Sequence, residues 1–210
     1  MRARSGLVAL TFLAAMSGTA AAQAWDNPSF FAPRAHDDIG VYLVNPEGGD
    51  LGFAAIWRQS GNINLGVRGG IGGDSDDRLW MLGAELYGPI NLATGAPLLI
   101  AWNTGVGATF GDGFTAMRIP LGASVGIDLG QAGSSVSILP YVHPRAVFEL
   151  VAIEIGDEEE TDSDFDFDVD IGADVRIGQR WILRGGVSLA HNTTFGFGVA
   201  YRIPRPVSVR

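Results

Sequence analysis

Twelve ionisable side chains fall on alternating positions among small residues: Arg68, Glu85, Arg118, Asp128, His143, Arg145, Glu149, Asp170, Asp174, Arg176, Arg184 and Arg202. Guanidiniums facing carboxylates in a confined space form charge-assisted, often bidentate pairs. The same set, facing water, lines a path that selects ions or small polar solutes. The chain has no lysine, so every side-chain cation other than histidine is a guanidinium. Three histidines are present, His36, His143 and His191. His191, next to Asn192 in a turn, is the one placed to reach Ser188 or Asp74. No nucleophile elbow, phosphate loop, dinucleotide fingerprint or histidine metal spacing accompanies any of them.

A second chemical feature is the tract Asp157-Glu158-Glu159-Glu160-Thr161-Asp162-Ser163-Asp164. Divalent cations suit such a run. The calcium-loop order, however, needs glycine at its sixth position and glutamate at its twelfth, and counting from Asp164 gives Val169 and Val175. The expectation is therefore a solvated connector, spanning 152–163, that runs into a strand. Cysteine is absent, which excludes disulfides, Cys-ligated zinc and a thiol nucleophile. A net charge of −9 argues against nucleic acid as a partner.

The elements that would hold these groups follow from periodicity. Phe165, Phe167, Val169, Ile171, Ala173, Val175 and Ile177 alternate with Asp164, Asp166, Asp168, Asp170, Gly172, Asp174 and Arg176. Such period-two alternation marks a strand with two unlike faces. The same pattern recurs along the chain and yields ten strands: 38–44, 51–58, 62–71, 78–88, 97–110, 114–129, 136–150, 164–177, 180–190 and 194–203. Eight or twelve are the bracketing counts. Pro120, Pro140 and Pro144 fall inside strands; since proline cannot donate to a ladder, they imply bulges, or a split of 136–150 into two pieces. The fold class is all-β, an antiparallel meander.

The two faces decide the surroundings. One is Phe, Ile, Val and Leu; the other is largely glycine, serine and alanine with scattered charges. Small and charged residues cover a water-exposed surface poorly but suit a narrow barrel interior. Several strands exceed the roughly 5–6 residues usual in globular proteins and approach the roughly 9–11 of a tilted membrane span. With odd strands running outward, Trp80, Phe110 and Phe195 fall at one rim of the apolar face. Trp57, Trp181 and Tyr201 fall at the other, as two aromatic girdles. The alternative, a soluble lipocalin-like barrel binding an apolar ligand, would turn the Phe/Ile/Val face inward.

Residues 1–24 read as an export leader. Arg2 and Arg4 precede the apolar run 7–16, and small residues end the segment, with Ala22-Gln23-Ala24 or Ala20-Ala21-Ala22 as the cleavage tripeptide. Its removal would leave 12 arginines against 23 acids, nine of which lie between Asp157 and Asp170. The barrel domain would then be 25–210, with no other window apolar enough for a spanning helix.

In these features the chain resembles the small outer-membrane β-barrels of Gram-negative bacteria, the OmpA-, OmpX- and OmpW-like group. The resemblance implies an up-and-down transmembrane barrel in contact with outer-membrane lipid and lipopolysaccharide. A monomer without cofactor or metal is expected; enzymatic barrels exist in this class, but no catalytic motif accompanies the three histidines, so no enzymatic activity is expected. In that group the barrel-assembly machinery reads a C-terminal pattern of polar, glycine and two apolar residues, which Thr194, Gly196, Val199 and Tyr201 fit. This chain departs in continuing through 202–210, with Pro204 and Pro206. The resemblance implies a structural or envelope-interaction role, with or without weak conductance. A porin-like channel for small polar solutes is the alternative.

Overall fold

The computed structural model describes residues 25–34, 37–45, 51–73, 78–91, 97–130, 133–155, 158–190 and 193–204. The expected leader 1–24, His36, Asp74, Asp157, His191 and Asn192 lie outside the described residues. The alternating segments form ten strands: β1 (Asp38–Asn45), β2 (Gly52–Gln59), β3 (Asn64–Gly72), β4 (Leu79–Pro89), β5 (Leu98–Gly111), β6 (Phe114–Ile127), β7 (Val136–Ile155), β8 (Glu158–Ile177), β9 (Trp181–Leu189) and β10 (Thr193–Arg202). Each pairs antiparallel with its chain neighbours, and β1 closes on β10. The result is a closed up-and-down barrel.

Its dimensions follow from the pairing. Starting at Asp164, the paired residues run through Glu149, Arg118, Gly107, Gly83, Arg68, Ile56, Gly40, Ala200 and Ile182. They return to β8 at Arg176, twelve residues further along the same strand. With ten strands about 4.8 Å apart and a rise of about 3.3 Å per residue, that stagger sets a tilt of about 40°. The same spacings give a backbone radius of about 10 Å. Such a bore leaves room beyond what small side chains fill.

The Phe/Ile/Val face points outward, and among the exposed residues are Val41, Phe53, Leu82, Leu121, Phe167, Ile171 and Phe197. This contradicts the lipocalin-like alternative. The prolines cause no bulge. Pro140 and Pro144 sit opposite Ala173 and Val169 in an unbroken β7–β8 register, so 136–155 is one strand. Near Pro120 the β5–β6 pairing skips two positions and resumes in the same register, and the Thr104 hydroxyl donates to the Pro120 carbonyl at 3.0 Å. A missing donor costs one ladder bond there, and a side chain on β5 supplies another.

From Glu158 onward the acidic tract is also not a loop. Residues 150–155 and 158–163, much of the expected connector, pair as the tip of a hairpin, with Leu150 opposite Ser163 and Ala152 opposite Thr161. β9 joins β8 only from Val169 onward, so 158–168 have a strand on one side only. Asp162 and Asp164 accept from the N–H groups of Ser163 and Phe165 at 2.8 and 2.7 Å. Carboxylates along a free edge satisfy its donors and repel other strands, which blunts it against aggregation.

Candidate functional site

Before β1 the chain turns into the barrel. Trp25, Asp26, Asn27, Pro28, Ser29, Phe30, Phe31 and Ala32 are all buried inside it. Pro33 and Arg34 lie at the mouth where β1 begins: a Cβ on Gly126 would stand 3.0 Å from the Pro33 ring, and Arg34 pairs with Asp128. From there the segment climbs to Trp25, whose ring lies against Gly83, Gly105 and Gly107. A side chain at Gly83 or Gly107 would occupy the indole's space. The small inner face thus has a specific use: it seats this segment.

Apolar packing fixes the aromatic residues. Phe30 stacks on Tyr42 at 4.5 Å and joins Val44, Ala54 and Ile56. Phe31 meets Tyr87 and Ala101, and Ala32 packs on Leu139 and Tyr141. These inward apolar residues add to an inner face that was expected to be largely small residues with scattered charges. They are the barrel's half of three small cores whose other half is the segment.

Polar contacts hold the backbone between two walls. On one, Arg58 donates to the carbonyls of Phe30 and Ser29 at 3.0 and 3.2 Å, and its Nε donates to Glu85 at 2.6 Å. Arg68 donates to the carbonyls of Trp25, at 3.1 Å, Pro28, at 3.0 Å, and Ser29. On the other wall, the Ser29 N–H donates to Asp170 at 3.1 Å. Asp26 lies between Arg145 and Arg118, and Arg145 also reaches Asn27, Asp168 and Asp170. Carbonyls face guanidiniums and the N–H faces a carboxylate, so the segment is aligned with the charge difference across the bore.

Ser29, His143 and Asp170 form a trio that invites a catalytic reading. The Ser29 hydroxyl lies 2.8 Å from His143 Nδ1 and donates to Asp170, while Nε2 lies 2.8 Å from Asn103. A serine relay needs hydroxyl and carboxylate on opposite ring nitrogens, with the hydroxyl open to substrate. Here both share the Nδ1 edge and the imidazole is fully buried. The trio anchors the segment.

Of the twelve expected lumenal groups, Arg68, Glu85, Arg118, His143, Arg145, Asp170, Asp174 and Arg184 are buried inside the barrel. Arg184 forms a separate node with Asp174, Asp38 and the Tyr42 hydroxyl. Glu149 is partly exposed, 3.7 Å from Arg118. Asp128 and Arg176 pair at the mouth at 2.8 Å. Slight burial would raise the Asp128 pKa, but the Gly130 N–H, Arg34 and Arg176 outweigh it and hold the carboxyl below its usual value. Arg202 is a correction: although it shares the inward parity, it is exposed at the rim and outside the network. Sequence reading missed Asp26, Asp38, Arg58 and Asp168. Asp168 carried a usable signal, because it shares a face with Asp170 and Asp174.

The six aromatic positions all point outward. Trp80 pairs across to Phe110 near one rim, and Ile71 and Phe53 continue that row. Trp181 meets Tyr201 edge-on at 5.2 Å near the other, and Ile39 links Tyr201 to Trp57. On β10, Thr194 and Gly196 face inward while Val199 and Tyr201 face out, and a Cβ at Gly196 would stand 2.7 Å from the Phe30 ring.

No family model and no curated protein matches the chain. Solved structures do resemble it. The KdgM porin covers 80% of this chain and 99% of its own at 10% identity, with a TM-score of 0.41. Ail, the attachment invasion locus protein of Yersinia pestis, covers 79% and 95% at 11% identity, with a TM-score of 0.35. A de novo designed transmembrane β-barrel covers 81% and 98% at 15% identity, with a TM-score of 0.34. A closed ten-strand barrel, apolar outside and polar within, is the architecture of a small outer-membrane barrel.

Proposed function

We propose that this is an outer-membrane barrel with a structural or envelope-interaction role, and that its lumen is sealed at rest. The observation that carries the reading is the burial of 25–32 between Arg58 and Arg68 on one wall and Asp170 on the other. A bore of about 10 Å backbone radius would be wet if only glycines and alanines faced it. Here peptide and ion pairs fill it.

In this reading the leader is cleaved near Ala24, and the new N-terminus enters from the periplasmic mouth. Outer-membrane lipid and lipopolysaccharide meet the apolar exterior, with Trp80, Phe110 and Phe195 at the external interface and Trp57, Trp181 and Tyr201 at the periplasmic one. The barrel-assembly machinery reads Thr194, Gly196, Val199 and Tyr201. The protein acts as a monomer, without cofactor or catalysis. Planar-bilayer recording of the purified mature barrel tests the sealing. No conductance step under applied voltage is expected, whereas steady open-channel current would overturn it.

A further inference from the structure

The segment at 25–34 contributes nothing to the barrel's own closure. The sheet closes through β1 and β10, and among the described residues no backbone–backbone hydrogen bond joins 25–34 to a strand. Side chains do all the holding. Among the described residues, every hydrogen bond that Arg68 makes is donated to the segment's carbonyls, no carboxylate lies within ion-pair distance of it, and its buried Nε has no hydrogen-bond partner. Two guanidiniums, those of Arg58 and Arg68, converge on the Ser29 carbonyl. Two more, those of Arg118 and Arg145, hold the Asp26 carboxylate. A glycine seat takes the indole, and Tyr42 and Tyr87 take the two phenylalanines. These are the contacts of a site that recognises a short peptide turned at 25–28: carbonyls, one N–H, a carboxylate and aromatic side chains, each met separately.

We propose that the lumen is a binding site for short, turned peptides carrying an acidic residue next to aromatic ones, occupied here in cis by 25–34. The segment is a tethered ligand, and its departure opens the bore to water. This rests on the sealed-barrel reading above. The ladder survives the departure because none of its bonds is lost. Without the segment, the Arg58, Arg68 and Glu85 wall has one cation in excess. The facing wall of Arg118, Arg145, Glu149, Asp168 and Asp170 has one anion in excess. A polar peptide entering from the β1 mouth lies across that difference as the native segment does.

The test uses a barrel in which the leader is joined directly to Ala35, so that 25–34 are absent. Its folding is checked by its shift on unheated gels. In planar bilayers the full-length barrel is silent and the deleted one conducts in steps. A synthetic peptide with the sequence of residues 25–34, added at the β1 side, restores silence. The same peptide with Asp26→Ala binds more weakly by about a hundredfold to a few thousandfold, as expected when one partner of a buried ion pair is removed. A folded deletion variant that stays silent overturns the proposal, and so does one that conducts but ignores the peptide. Conduction by the full-length barrel would overturn the sealed reading as well. If the deletion does not fold, a specific protease sequence inserted between Arg34 and Asp37 lets the folded barrel be cut and washed. Current after cutting supports the proposal, and silence after complete cutting overturns it.

Discussion

The Arg145 side chain has no exposed surface and stands among Asp26, Asp168 and Asp170. Removing one member of a buried network leaves its partners charged and unpaired, which costs about 3–5 kcal/mol. Arg145→Ala is therefore expected to lower stability by about that amount in denaturant titration of the detergent-solubilised barrel. Arg176→Ala, at the partly exposed mouth, should change it by only about 0–1 kcal/mol. Asp128 adds a pH term whose sign is fixed by its lowered pKa. Its hold on Arg34 is present through neutral pH and is lost only as pH falls below the usual carboxylate range. Most of the buried charges were legible from strand parity alone, because a side chain's face follows from its position modulo two. Arg58 was not, since it closes an expected strand, and Asp26 was not, since its segment has no periodicity. Arg202 shows the limit of parity: the right face at a strand end is still in water.

The ten strands were readable to within a residue or two except at the β7–β8 tip, where acidic composition looked like a loop. There, pairing with Ile153 and its neighbours on β7 keeps the residues extended, and composition alone does not report a partner. The 25–34 element was invisible for another reason. Every contact it makes is non-local, and nothing in its own ten residues says what they will touch. The sequence did hold an indirect sign: glycines 83, 105, 107 and 196 face inward and leave space that another group must fill. That complementarity gives a test. The nearest atoms to a Cβ at Gly83 all belong to the Trp25 ring. Gly83→Ala should destabilise the barrel by about 1–3 kcal/mol through overpacking. The same change in a Trp25→Ala background should cost little. Additive effects of the two substitutions would show that the ring does not sit there.

For the whole molecule, composition and architecture agree: scarce charge is what remains when one face of every strand is apolar and turned outward. The stagger of twelve over ten strands sets a bore wide enough to need filling, and the chain's own N-terminal segment fills it. The barrel is also uneven in height, with β1 and β2 of 8 residues and β7 and β8 of 20. The absence of cysteine allows faces and filling to be read together. Single thiols at Phe197→Cys, on the outer face, and Ala32→Cys, in the filled lumen, are introduced into barrels reconstituted in vesicles and treated with a water-soluble maleimide. Neither is expected to react until the protein is unfolded, while a lipid-soluble reagent labels only position 197. Rapid aqueous labelling at 197 would mean that the faces are reversed, and rapid aqueous labelling at 32 would mean that the lumen is open.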